Sequence, residues 1–262
     1  MPGLVVEHRG HVTVLTMDRP DKRNAYDDDM RDAITAAMLA FEADPEQYVA
    51  VVTGSGTRAF CSGSDLSTPR GGRTRRGPRP FPITDMFGIG SVSKPVIAAV
   101  NGLAVGGGCE IALACDIRIA ADTAWFGLFE PKHGIIPGAA VHLLPRMVGY
   151  GDAAWLLLTA ERVGAGDAHR MGLVQRVVSP AQVLPEAMRI AEGMCALSQV
   201  ALQGIKKVLR HERDRLLHES IRLAEVIIAT AELSGDIDEG LAAFREHRQP
   251  HFSNRWPGPP AG

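Results

Sequence analysis

Three consecutive glycines, Gly106-Gly107-Gly108, constrain this chain more than any other feature. They sit in Asn101-Gly102-Leu103-Ala104-Val105-Gly106-Gly107-Gly108-Cys109-Glu110, which reads as a turn feeding a helix. Such a run is costly inside a helix and cheap at its start, where unpaired N–H groups face outward. A helix start of this kind favours negative charge. Glu110 lies one turn beyond Gly107, roughly 4.5 Å along the axis. That spacing puts a backbone donor and a carboxylate on one face. A second glutamate, Glu130, follows in the apolar setting Trp125-Phe126-Gly127-Leu128-Phe129-Glu130-Pro131. Two carboxylates beside a main-chain donor suit acid–base chemistry next to a carbonyl.

The chain of 262 residues is long enough for one large domain, or a domain with an appendage. Its net charge of -2 gives no general attraction to nucleic acid or anionic membrane. No apolar run reaches the length of a membrane span, and residues 1–10 lack the apolar core of a signal peptide. Cys61, Cys109, Cys115 and Cys195 show no CxxC or framework spacing and read as reduced thiols of a cytoplasmic protein.

Residues 4–8 and 11–17 read as a hairpin around Arg9-Gly10. Asp27-Asp28-Asp29 opens a helix in which Met30, Ile34, Met38 and Phe41 recur at helical spacing. Residues 48–53, 95–100 and 116–120 read as strands, the last entered directly from the Glu110 helix. Strand–helix–strand order favours parallel pairing. Residues 165–171 predict a short helix closed by Gly172, and 173–178 a strand. Helices are expected over 180–195, 199–211, 216–232 and from Ser234-Gly235-Asp236 to about Arg245. Between Asp65 and Asp85 every charged residue is arginine: Arg70, Arg73, Arg75, Arg76 and Arg79. Interleaved Gly and Pro favour a solvated loop; the sharper reading is a lid or guide for a phosphate-bearing ligand.

Several segments resemble the crotonase, or enoyl-CoA hydratase, superfamily. Ala59-Phe60-Cys61-Ser62-Gly63-Ser64-Asp65-Leu66 is similar to its first oxyanion segment. Lys94 to Gly102, the glycine run and Ala114-Cys115-Asp116 are similar to its second. Phe126 to Glu130 followed by Gly134-Ile135-Ile136-Pro137-Gly138 resembles its second catalytic segment. Arg19-Pro20 to Asn24-Ala25 and Ala243-Phe244-Arg245-Glu246 also match, so the resemblance covers nearly the whole chain.

The resemblance implies an α/β crotonase (ClpP-like) fold of stacked ββα units. It divides the chain into a core over 1–195 and a helical C-terminal region over 196–262 that mediates trimers or dimers of trimers. It also implies an oxyanion hole from the backbone N–H groups of Ser64 and Gly107, with Ser64 standing where alanine is usual. Glu110 corresponds to the residue that activates water for attack at Cβ. Glu130 corresponds to the one that delivers a proton to Cα. Gly138 offers its N–H to the catalytic water. Coenzyme A contacts are expected from Lys22, Arg23, Ala25, Ser62, Asp65, Leu66 and Arg248. The implied reaction is reversible hydration of a trans-2-enoyl-CoA to a 3-hydroxyacyl-CoA, with no metal or redox cofactor. Alternatives are another acyl-CoA lyase, dehydratase or isomerase, and a non-catalytic acyl-CoA or RNA-binding relative.

Two segments depart from the family. After Pro137-Gly138 the chain reads Ala139-Ala140-Val141-His142-Leu143-Leu144-Pro145-Arg146, one residue shorter than the glycine-rich run of many hydratases. His247-Arg248 stands where a basic pair often reaches the CoA phosphates of a neighbouring subunit. Other residues carry bland readings: His133 as structural, Asp116 as ordering a strand start, and Asp65 as fixing the turn that presents Ser64. Cys109 has no base to activate it. Trp125, Phe126 and Phe129 read as core packing. The glycine run lacks the GxGxxG form and acidic partner of a dinucleotide site.

Overall fold

The computed structural model describes residues 3–66, 83–214 and 217–252. The hairpin is present: β1 (Leu4–Arg9) pairs antiparallel with β2 (Val12–Met17) around Gly10 at φ 61°. The expected first helix is α1 (Asp28–Ala43), whose N-terminal amide at Met30 donates to the Asp27 carboxylate at 2.9 Å. Its buried stripe is Met30, Ile34, Met38 and Phe41, as the periodicity requires.

From there the chain spirals. β3 (Val49–Gly54) is followed by β4 (Ala59–Cys61). Next, β5 (Val96–Val100) is followed by β6 (Leu103–Val105) and α2 (Gly107–Ala114). Then β7 (Ile117–Ala121) is followed by β8 (Trp125–Gly127). The first strand of each pair joins a six-stranded sheet, ordered β1-β2-β3-β5-β7-β10, where β10 is Arg176–Val178. The second strand of each pair joins a four-stranded sheet, ordered β4-β6-β8-β9, where β9 is Val163–Gly164. All pairings are parallel except β1 with β2 and β8 with β9. β3 and β5 are buried throughout, and both read as unbroken apolar runs, as central parallel strands do.

Two asparagines fix the corners of this spiral. The Asn101 side-chain amide donates to the carbonyls of Gly54, Gly56 and Ala59 at 2.9, 2.8 and 3.2 Å. The Asn24 amide donates to Ser55 and Ala59 carbonyls at 3.1 and 2.8 Å. Buried turn carbonyls are satisfied without sheet partners in this way. Phe41, Phe60 and Phe126 are fully buried around the two sheets. Each contributes roughly 1.5–3 kcal/mol of transfer free energy.

The rest is largely helical: α3 (Ala140–Leu143), α4 (Tyr150–Thr159), α5 (Ala165–Arg170), α6 (Val183–Cys195), α7 (Gln199–Asp214), α8 (Leu217–Glu232) and α9 (Asp236–Arg245). Three expectations change. The strand expected over 173–178 shrinks to β10, because Leu173 and Val174 lie in the turn after α5. The helix expected over 180–195 begins as a 3-10 turn, Pro180–Gln182, with Pro180 at its start. The short strands β4, β6 and β8 and the helices α3 and α4 are additions to the sequence reading. The C-terminal helices are tied to the core by the buried ammonium of Lys206 on α7. It donates to the Asp116 carboxylate at 2.7 Å and to the Lys94 carbonyl at 2.8 Å. Asp116 in turn accepts from the Val96 amide at 2.7 Å, so it orders the start of β5 as well.

Candidate active site

The second sheet explains the site. β4, β6 and β8 run parallel and side by side, and the chain just past each one carries residues of the expected site. Past β4 come Gly63 and Ser64; past β6 come Gly106 and Gly107; past β8 comes Glu130. Parallel strands bring their C-terminal ends to one edge, so the three segments converge with Gly107 in the middle. Gly63 adopts φ 90°, and a β-carbon there would stand 3.2 Å from the Gly107 nitrogen. Gly63, which precedes Ser64, is therefore a neighbour of Gly107. Gly107 is the first residue of α2, so its N–H has no acceptor within the helix.

The glycine run is accounted for position by position. At Gly106 (φ 54°) a β-carbon would press on the Glu130 carboxylate, 3.2 Å from Oε1. At Gly107 it would overlap the Tyr26 hydroxyl. At Gly108 it would strike the Cys61 carbonyl group, with the carbonyl carbon at 2.6 Å.

The two glutamates lie in contrasting surroundings. Glu110 is buried in α2, and its Oε1 accepts from the amides of Ala139 and Ala140 at 2.6 and 2.9 Å. Two main-chain donors on one oxygen stabilise negative charge there. Glu130 opens a 3-10 turn, Glu130–His133, and its Oε2 is buried with no hydrogen-bond partner among the described residues. Burial pushes the Glu130 carboxyl up from 4.5 to about 7, and the Glu110 charge adds to the effect.

Helix α9 backs the Glu130 turn. A β-carbon at Gly240 would stand 2.5 Å from the His133 carbonyl carbon, and one at Gly134 2.6 Å from the Asp236 carbonyl oxygen. The His133 ring lies edge-on to Phe244, with centroids 5.2 Å apart, and burial holds its pKa below the ordinary value. The His133 ring thus packs against α9. Cys61 and Cys109 are buried, and burial raises both thiols, Cys61 to about 12. Neither thiol ionises near neutral pH.

The expected coenzyme A segments are adjacent. The Ser62 amide donates to the Arg23 carbonyl at 3.1 Å, and its hydroxyl to the Lys22 carbonyl at 3.3 Å. Asp65 accepts from Arg19 at 3.1 Å, which braces the turn at Ser64. Ala25 is buried, Leu66 is half-buried, and Lys22 and Arg23 are exposed. Arg248 lies on the C-terminal segment, with its guanidinium held by Glu239 at 2.6 and 2.9 Å and by Glu246 at 2.7 Å. Arg70, Arg73, Arg75, Arg76 and Arg79 fall outside the described residues. Phe126 is core, while Trp125 and Phe129 stack with centroids 5.9 Å apart and carry Arg162 and Lys132 over their outer faces. Gly138 sits in the turn just before the two amides that hold Glu110. Sequence reading missed those amides and Tyr26. The only signal for the former was the shortened run after Gly138.

The family profile described as enoyl-CoA hydratase/isomerase matches residues 7–255. The chain belongs to this family, with the crotonase fold. It is 34% identical to a crotonyl-CoA hydratase of Syntrophomonas wolfei over 260 residues, covering 96% of this chain and 98% of the relative. It is 35% identical to an (E)-benzylidenesuccinyl-CoA hydratase of Thauera aromatica, covering 95% and 98%. Among solved structures, a carnitinyl-CoA hydratase from Mycobacterium avium superposes with a TM-score of 0.83 at 35% identity, covering 97% of this chain and all of that one. Among the described residues no helix is long and apolar enough to cross a membrane.

Proposed function

We propose that this crotonase-family protein is an enoyl-CoA hydratase, adding water reversibly across a trans-2-enoyl-CoA to give a 3-hydroxyacyl-CoA. The observation that carries the reading is the contrast between the two glutamates. One is bound through main-chain amides, and the other is half-buried, with a buried oxygen unpartnered among the described residues and a carboxyl raised to about 7. Paired carboxyls driven apart by their surroundings divide into base and acid.

In this mechanism the thioester oxygen sits between the Ser64 and Gly107 amides. Glu110 takes a proton from water as its oxygen bonds to Cβ. The Cβ–Cα π electrons move to Cα, and the developing enolate charge is held by the two amides. Protonated Glu130 then gives its proton to Cα, and the Glu110 proton returns it to the starting state through solvent. A preorganised main-chain donor of this type contributes about 3–4 kcal/mol to the barrier. Gly138 and its neighbours orient the water beside Glu110. Lys22, Arg23, Ala25, Ser62, Asp65, Leu66 and Arg248 hold the coenzyme A portion.

The relatives named for benzylidenesuccinyl-CoA and carnitinyl-CoA widen the acyl group to be tried beyond crotonyl. The test is a panel of trans-2-enoyl-CoA thioesters with short, long, aromatic and polar acyl groups, followed by loss of conjugated-thioester absorbance. Turnover of at least one supports the reading; double-bond migration without water uptake would move it to isomerase. We also propose that residues 196–262 form the assembly region of a homotrimer or dimer of trimers, in a cytoplasmic protein.

A further inference from the structure

We infer that Tyr26 sets the spacing of the two oxyanion amides, as a positioning residue that ties the Ser64 segment to the start of α2. Its kinetic readout rests on the hydratase reading, while its geometry does not.

The sheet alone leaves this spacing loose. The β4–β6 ladder shifts register between Ala59 and Cys61, just before the chain reaches Ser64. A one-residue irregularity breaks the regular relation between paired strands. Tyr26 supplies the missing tie from both its main chain and its side chain. It forms a parallel bridge with Ser64: its N–H donates to the Gly63 carbonyl at 2.9 Å, and its carbonyl accepts from the Asp65 amide at 2.8 Å. Residue 64 is thus bracketed by bonds to one residue. The Tyr26 side chain crosses to α2, where a β-carbon at Gly107 would overlap the hydroxyl and stand 2.9 Å from Cε1 and Cζ. The phenol tip therefore fills the space that any other residue type at 107 would occupy.

The ring is held in turn. Phe87 meets it edge-on, with centroids 5.0 Å apart and planes at 76°. Phe87 and its predecessor Met86 both adopt positive φ, 70° and 46°. Bulky residues seldom adopt that region and persist there only where their surroundings fix them. A strained turn behind a rigid ring behind a catalytic amide is a positioning stack. A phenol has two side-chain torsions, so it transmits position with little entropy loss.

The test compares Tyr26→Phe, which keeps the ring and removes the hydroxyl, with Tyr26→Leu, which removes both. Steady-state kinetics on the best enoyl-CoA should show kcat falling about tenfold in Tyr26→Phe with KM within about twofold. That is the pattern of an interaction felt in the transition state. Tyr26→Leu should fall further. Bound cinnamoyl-CoA should show a red-shifted absorbance in the wild type, because the amides polarise its carbonyl, and a smaller shift in Tyr26→Phe. Wild-type kcat and red shift in Tyr26→Phe, or a loss confined to KM, would overturn the inference. If the wild type neither hydrates nor red-shifts any enoyl thioester, the hydratase reading fails by itself. The spacing is then judged from the free protein labelled at glycine and serine nitrogen. Displacement of both the Gly107 and Ser64 amide resonances in Tyr26→Phe supports the tie, and displacement of neither or of Gly107 alone refutes it.

Discussion

At the residue scale the proposed chemistry rests on Glu110 and Glu130, two carboxyls that feel each other's charge and differ in surroundings. Glu110→Gln and Glu130→Gln should each lower turnover by at least about 10² with the fold retained, since each removes a positioned proton-transfer group. Wild-type rates in both purified variants would refute the assignment. The raised Glu130 pKa has a sign that stability measurements can read. Its folded value of about 7 exceeds the ordinary 4.5, so the native state binds this proton more tightly than the unfolded chain does. The resulting stabilisation is present in full below pH 4.5 and is lost as pH rises through 7. Glu130→Gln, neutral at all pH, should therefore raise the melting temperature relative to wild type at pH 8 and leave it nearly unchanged at pH 5. An equal change at both values would show that Glu130 titrates normally. Hydration kcat/KM should fall by about tenfold per unit above pH 7, as the acid loses its proton. Both glutamates were legible in the sequence because each lies within a contiguous motif. The amides of Ala139 and Ala140 were not: a main-chain donor has no residue type, so no letter marks it.

At the element scale the decisive pieces are the shortest. β4, β6 and β8 have three residues each. Three residues carry too little alternation to register as a strand, and the sequence reading passed over them. The long parallel strands and α1 were legible because their apolar patterns run for five or more residues. Helix α9 was legible too, but its seat was not, since His133 and Gly240 are far apart in sequence. That seat can be tested. Gly240→Ala places a methyl where the His133 carbonyl group stands, so α9 must move away from the Glu130 turn. Turnover should fall, and the alkaline limb of the pH–rate profile should shift to lower pH as water reaches Glu130. An unshifted limb with full activity would mean that α9 and the turn are independent.

At the scale of the whole molecule, the C-terminal helices leave apolar side chains outside. Val200, Val208 and Leu209 on α7 and Leu223 and Val226 on α8 are all exposed. Exposed apolar side chains on these two helices fit the proposed assembly region. If another copy covers them, sedimentation should give three or six times the chain mass of 28.1 kDa, and Val226→Asp with Leu223→Asp should lower it. A monomer in the unsubstituted protein would refute the trimer. Family membership made the overall architecture legible, whereas the docking of helices on one another depends on contacts that no local pattern records. The seat of α9 carries one more consequence, for the order in which the protein is made. The amides and both glutamates leave the ribosome more than a hundred residues before Gly240, yet the turn that bears Glu130 gains its backing only when α9 arrives. A nascent chain halted before residue 236 would hold the proposed reacting groups and lack the helix that backs the Glu130 turn. On the proposed function, thioester chemistry waits until synthesis has passed α9.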